Sequence, residues 1–60
     1  MEIKDLKEGD RFATKDKNGQ AYTGTFLGLE GYMAKVRFDH IGYADYRWTL
    51  IRQDTEIEKE

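Results

Sequence analysis

The sequence predicts an all-β fold of five short strands curled into a small barrel, and three observations predict it. Residues Ala21 to Trp48 read as strand, turn, strand, turn, strand, with almost nothing else between them. Asn18-Gly19, just ahead of that stretch, is a strong short hairpin signal and joins it to one more strand. No segment places its apolar residues at the spacing a buried helix needs, so helix content should be close to nil. Closure into a barrel is expected because it removes sheet edges that would otherwise pair with other chains.

In chain order, Met1, Ile3 and Leu6 are the only apolar residues of the first ten, too sparse for a helix, and Ile3 and Leu6 are expected to cover one end of the barrel. Gly9-Asp10 turns the chain into a first strand, Arg11-Phe12-Ala13-Thr14-Lys15. The Asn18-Gly19 turn is expected to be type I′, with positive φ at both central positions, so the second strand runs antiparallel from near Gln20. In that strand Tyr22, Gly24, Phe26 and Gly28 alternate with Thr23, Thr25, Leu27 and Leu29, and neither face is purely apolar. Such a pattern with two glycines predicts a long, bent strand shared between two sheets, bent at Gly24 or Gly28.

The third strand alternates cleanly, with Ala34, Val36 and Phe38 inside and Met33, Lys35 and Arg37 outside. The fourth, over 43–48, is expected to turn Tyr46 and Trp48 inward for their large apolar area and Arg47 outward. Thr49-Leu50-Ile51 is read as a short 3₁₀ turn before a brief last strand around Arg52-Gln53. The barrel then spans 1–53, and the acidic segment 54–60 is expected to fray.

Sixty residues allow one domain of marginal stability. With no cysteine, neither disulfides nor thiolate metal sites can staple it, and a cytoplasmic location is the expectation. No apolar run reaches the roughly 20 residues of a membrane helix, and no membrane partner is expected. Residues 54–60 carry four carboxylates against Lys59, a charge of −3, so residues 1–53 carry +1 of the total of −2. That mildly basic body is compatible with polyanions without demanding them.

Tyr22-Thr23-Gly24-Thr25-Phe26, then Val36-Arg37-Phe38-Asp39-His40-Ile41-Gly42-Tyr43-Ala44-Asp45, then Leu50, resemble the Tudor branch of the SH3-like barrels over residues 9–52. The resemblance implies a five-stranded SH3-like barrel. It also implies an aromatic cage for methylated Lys or Arg, of which Tyr22 keeps the first wall, while His40-Ile41 and Tyr43 replace two others. Gly9-Asp10-Arg11, Tyr22-x-Gly24 and Gly31-Tyr32-x-Ala34 are similar to the plasmid type II dihydrofolate reductases, which implies an oligomeric enzyme. Where that family lines its pore with Val-Gln-Ile-Tyr, this chain has Ala44-Asp45-Tyr46-Arg47, so the activity is not carried over.

His40, the single histidine, reads as a solvated loop residue, and no phosphate loop, nucleophile elbow or paired catalytic carboxylates can be found, so no catalytic residue, metal or cofactor is expected. Lys35, Arg37 and Arg47 can share one outer surface, with Tyr32 or Tyr43 beside them. Tyr22, Tyr32, Lys35, Arg37, Tyr43 and Arg47 are therefore the expected partner-binding residues. The function this predicts is a small non-catalytic module that engages a protein or peptide, as an adaptor or regulator and as a homodimer if it self-associates. Nucleic-acid binding through Lys35, Arg37 and Arg47 is the alternative, and an enzyme of the dihydrofolate reductase kind a minor one.

Overall fold

A computed structural model describes residues 1–39 and 48–60. The expected positions of His40, Tyr43, Tyr46 and Arg47, and nearly all of the strand expected over 43–48, lie outside those residues. Five strands, β1 (Arg11–Lys15), β2 (Ala21–Glu30), β3 (Met33–Phe38), β4 (Thr49–Arg52) and β5 (Glu58–Lys59), form one antiparallel sheet in the order β4-β3-β2-β1-β5. The all-β expectation holds. Closure does not: among the described residues no ladder joins β4 to β5. The chain between those strands bonds instead to the N-terminal segment, with Lys4 N–H on Gln53 O at 3.1 Å, Ile3 N–H on Thr55 O at 2.9 Å and Ile57 N–H on Met1 O at 2.8 Å.

The inner face of the sheet carries the core. Phe12, Phe26, Ala34 and Val36 project from alternate positions of β1, β2 and β3, and Ile3, Leu6 and Ile57 close over them. Phe38 and Ile51 pack at the margin, and Phe38 meets Phe12 edge-on with centroids 5.8 Å apart. Ile3 and Leu6 share one side because a 3₁₀ turn over Ile3–Asp5 stacks positions three apart. Asp5 locks that turn by accepting the Glu2 N–H at 3.1 Å.

Four expectations are corrected. The 3₁₀ turn lies at Ile3–Asp5, and Thr49–Arg52 is strand β4, in which β-branched Thr49 and Ile51 are half-buried while Leu50 and Arg52 point outward. Trp48 shares the outward parity of Leu50 and is 47 % exposed, so it is not a core residue. Residues 54–60 are not a frayed tail: Ile57 is 4 % exposed and β5 pairs with β1 through Phe12↔Lys59 and Ala13↔Glu58. Alternation there hides one apolar side chain among acidic neighbours, and that buried isoleucine together with the β1–β5 ladder anchors the segment. The first hairpin also differs from type I′, because Gly19 (φ 83) is left-handed and Asn18 is not.

That hairpin is organised by Asp16. Its Oδ1 accepts the Asn18 and Gln20 N–H groups, each at 2.9 Å, and its Oδ2 accepts the Tyr22 hydroxyl at 3.1 Å. The Gln20 N–H bond, ahead of those from Asn18 and Tyr22, holds the Asp16 carboxyl below its ordinary 3.8. A carboxyl whose folded value is depressed stabilises the fold above its unfolded pKa and loses that contribution as pH falls through the folded value. Asp54, lowered by its hydrogen bonds from Arg52, acts in the same direction. The urea midpoint is therefore expected to fall between about pH 5 and about pH 2, and Asp16→Asn should be less stable than the parent at neutral pH and show a shallower acid dependence. An unchanged pH profile in Asp16→Asn would refute this role.

The bend in β2 sits at Gly28. Phe26 pairs with Val36, but Gly28 pairs with Lys35, so Leu27 is an extra residue and the ladder bulges. Gly28 has φ 126, a conformation in which a side chain would be strained. The bulge reverses the parity of β2, which brings Leu29 opposite Ala34 on the inner side, at its margin and 53 % exposed.

Candidate binding face

The outer face of β2, β3 and β4 carries the groups that can meet a partner. The β-ladder sets Gly28, Lys35 and Leu50 side by side across three strands. With no side chain on Gly28, the Lys35 stem is bounded by Leu50 on the other side, and the ammonium lies 4.5 Å from the centroid of the Trp48 ring. A cation so placed over an indole is attracted by about 0.5–1 kcal/mol at an exposed site. Glu30 Oε2, 3.9 Å from the same ammonium, adds a weak ion pair. Leu50 is 38 % exposed, so Trp48 and Leu50 form an apolar strip with a lysine laid across it.

Arg37 follows Lys35 on the same face of β3 and is exposed. Continuing the β3–β4 register, in which Val36 faces Thr49, places Arg37 across from Trp48. Among the described residues Arg37 enters no ion pair. Arg52, at the far end of β4, is 79 % exposed and held by Asp54 through two hydrogen bonds of 3.0 and 2.9 Å.

At the β1 side the same face is internally satisfied. Arg11 donates to Asp39 through both terminal nitrogens and to Thr25 Oγ1 at 2.9 Å, and Thr23 Oγ1 bonds Asp39 at 2.8 Å. The Asp39 hydrogen bond holds the Arg11 guanidinium above its usual range. Glu60 approaches Arg11 at 3.7 Å. This cluster ties β1, β2 and the end of β3 together, and its charges face one another.

Of the expected partner-binding residues, Lys35 and Arg37 are brought together. Tyr32, 86 % exposed, projects from the two-residue turn between β2 and β3. Tyr22 is on the opposite, inner face, half-buried, edge-on to Phe38 at 6.1 Å and bonded to Asp16, so it belongs to the hairpin and not to this surface. Tyr43 and Arg47 lie outside the described residues. Sequence reasoning missed Trp48 and Leu50. The β-branched pair Thr49 and Ile51 was the available signal, because a strand starting at Thr49 turns 48 and 50 outward together.

The inner side of the hairpin lines a concavity of about 360 Å³ with Tyr22, Phe38, Ile51, Asp16 and Thr55. Its carboxylate is already engaged by the turn. Among the described residues no three His, Asp or Glu side chains gather to hold a metal ion, and no helix is long and apolar enough to cross a membrane. Comparison with family models, with curated proteins and with solved structures finds no match to this chain.

Proposed function

We propose that this chain is a small SH3-like, Tudor-like domain that acts as a non-catalytic module, binding a protein or peptide partner through the outer face of β3 and β4. The observation that carries the reading is Trp48, a half-exposed indole beneath the Lys35 ammonium and beside exposed Leu50. Tryptophan and arginine dominate the energetics of protein contacts where they cluster, and one tryptophan flanked by two cations and a leucine has that composition. The fold part of the reading is supported by the strand order β4-β3-β2-β1-β5 and by a long β2 with a bulge.

The test is selection of peptides from a displayed library on the folded domain, followed by affinity measurement against Trp48→Ala and Lys35→Ala. Selected peptides should lose roughly tenfold or more in affinity on Trp48→Ala. Peptides indifferent to both substitutions, or no selection at all, would refute the reading.

A second reading, nucleic-acid binding, is favoured by the pair Lys35 and Arg37 on one face beside an exposed indole, since cations meet phosphates and an aromatic ring stacks on a base. In an amide-resolved NMR titration with short DNA and RNA, that reading requires Lys35, Arg37 and Trp48 to shift together at low salt and to return as salt rises.

A further inference from the structure

Strand β4 is an edge. It pairs with β3 through Met33↔Arg52, Ala34↔Ile51, Lys35↔Leu50 and Val36↔Thr49, and among the described residues it has no neighbour on its other side. In an antiparallel ladder alternate residues turn N–H and C=O away from the partner strand. The Arg52 carbonyl accepts the Thr55 N–H at 3.1 Å and the Thr55 hydroxyl at 2.6 Å, and the other outward-turned groups of β4 have no backbone partner among the described residues.

The two faces beside this edge differ in chemistry. On the inner side Thr49 and Ile51 are half-buried, and Ile51 borders the core. On the outer side stand Leu50, Trp48, Lys35 and Arg37, with Arg52 at the end. Arg52 is matched by Asp54, and Lys35 is only loosely matched by Glu30, so among the described residues Arg37 and Lys35 leave this corner net positive in a chain whose total charge is −2. The Lys35 ammonium is drawn toward the edge by its position over Trp48.

From this we infer that the partner is an extended acidic peptide segment that adds to β4 as a sixth strand. This rests on the protein-binding reading of the same face. Its backbone pairs with the outward-turned groups of β4, its inward side chains are apolar and extend the core past Ile51, and its outward side chains are carboxylates aligned with Lys35 and Arg37. Main-chain pairing supplies attachment, and the alternation of acidic and apolar residues supplies selectivity.

The experiment is an NMR titration of the isotopically labelled chain with four blocked peptides: alternating Glu and Val, the same with Lys for Glu, and two versions of the Glu peptide methylated on alternate backbone amides, one in each phase. The Glu peptide should shift the amides of Thr49–Arg52, slow hydrogen exchange at those amides that point away from β3, and bind roughly three- to tenfold tighter than the Lys peptide. Methylation in one phase should abolish binding, and Arg37→Glu should reverse the preference between the Glu and Lys peptides. If both methylated peptides bind as well as the parent, or the Glu and Lys peptides bind alike, strand addition by an acidic segment is wrong while peptide binding at this face survives. If short RNA or DNA moves these amides and no peptide does, both the inference and the protein-binding reading fail.

Discussion

Gly24→Ala is expected to lower the melting temperature by more than about 10 °C. A Cβ built on Gly24 falls 2.6 Å from the carbonyl oxygen of Arg37 and 3.1 Å from Cζ of Phe12. The first of these is backbone within the β2–β3 ladder, where Gly24 pairs with Phe38, and it cannot rotate aside as a side chain can. The second is the fully buried ring that β1 lays directly across Gly24. Overpacking costs about 1–3 kcal/mol when side chains can adjust, and the upper end applies where a ladder must part. A domain of this length holds in total about 3–9 kcal/mol, at roughly 0.05–0.15 kcal/mol per residue. Each kcal/mol moves the melting point by about 4–8 °C in so small a domain. Thermal melts followed by circular dichroism decide the matter, and a shift of less than about 3 °C, under one kcal/mol on that scale, would mean that β2 and β3 can separate at no cost.

The second large effect is expected from removing residues 55–60. The deletion takes away Ile57, the last strand, and the bonds by which this segment joins the molecule: Thr55 O to Ile3, Ile57 N–H to Met1, Glu56 O to the Thr14 hydroxyl at 2.8 Å and Glu60 N–H to Arg11 O at 3.1 Å. Truncating one buried isoleucine to alanine costs about 2–5 kcal/mol by itself. The shortened chain should therefore give a collapsed, poorly dispersed amide spectrum, and Ile57→Ala alone should cost most of the same stability. Glu58→Ala, at an exposed position of the same segment, should stay within about 0.5 kcal/mol of the parent. A truncated chain that keeps a dispersed spectrum and its melting point would show that 55–60 only decorate the sheet.

What the sequence disclosed depended on how much each residue type constrains. The alternation of Ala34, Val36 and Phe38 against Lys35 and Arg37 needed no context, because β3 is central and both of its sides are fixed by neighbours. The first hairpin was legible in place but not in type: Asn18-Gly19 marks a turn, while the Asp16 carboxylate, by capturing the Asn18 and Gln20 amides, selects a turn with one left-handed residue. Ile57 was hidden because its neighbours are charged on both sides and its burial depends on a strand forty-odd positions away, where Thr14 bonds Glu56. Trp48 was misassigned because size alone was used to choose its side. Parity counted from Ile51, the one β4 residue bordering the core, turns the indole outward. For the binding face, charge identified Lys35 and Arg37, but only the register shows that the lysine lies over an indole rather than in water.

The extra residue in β2 gives the sheet its shape by arithmetic. Pairing resumes correctly on both sides of Leu27, so a chain lacking that one position would retain every cross-strand partner and lose only the coil. Curvature in this fold is thus encoded first as a count, one amino acid more on β2 than on β3, with Gly28 next to it accepting the φ of 126 that the extra residue imposes. Insertions and deletions near position 27, more than substitutions there, would be the changes that let related chains drift between a flatter sheet and a more tightly rolled one.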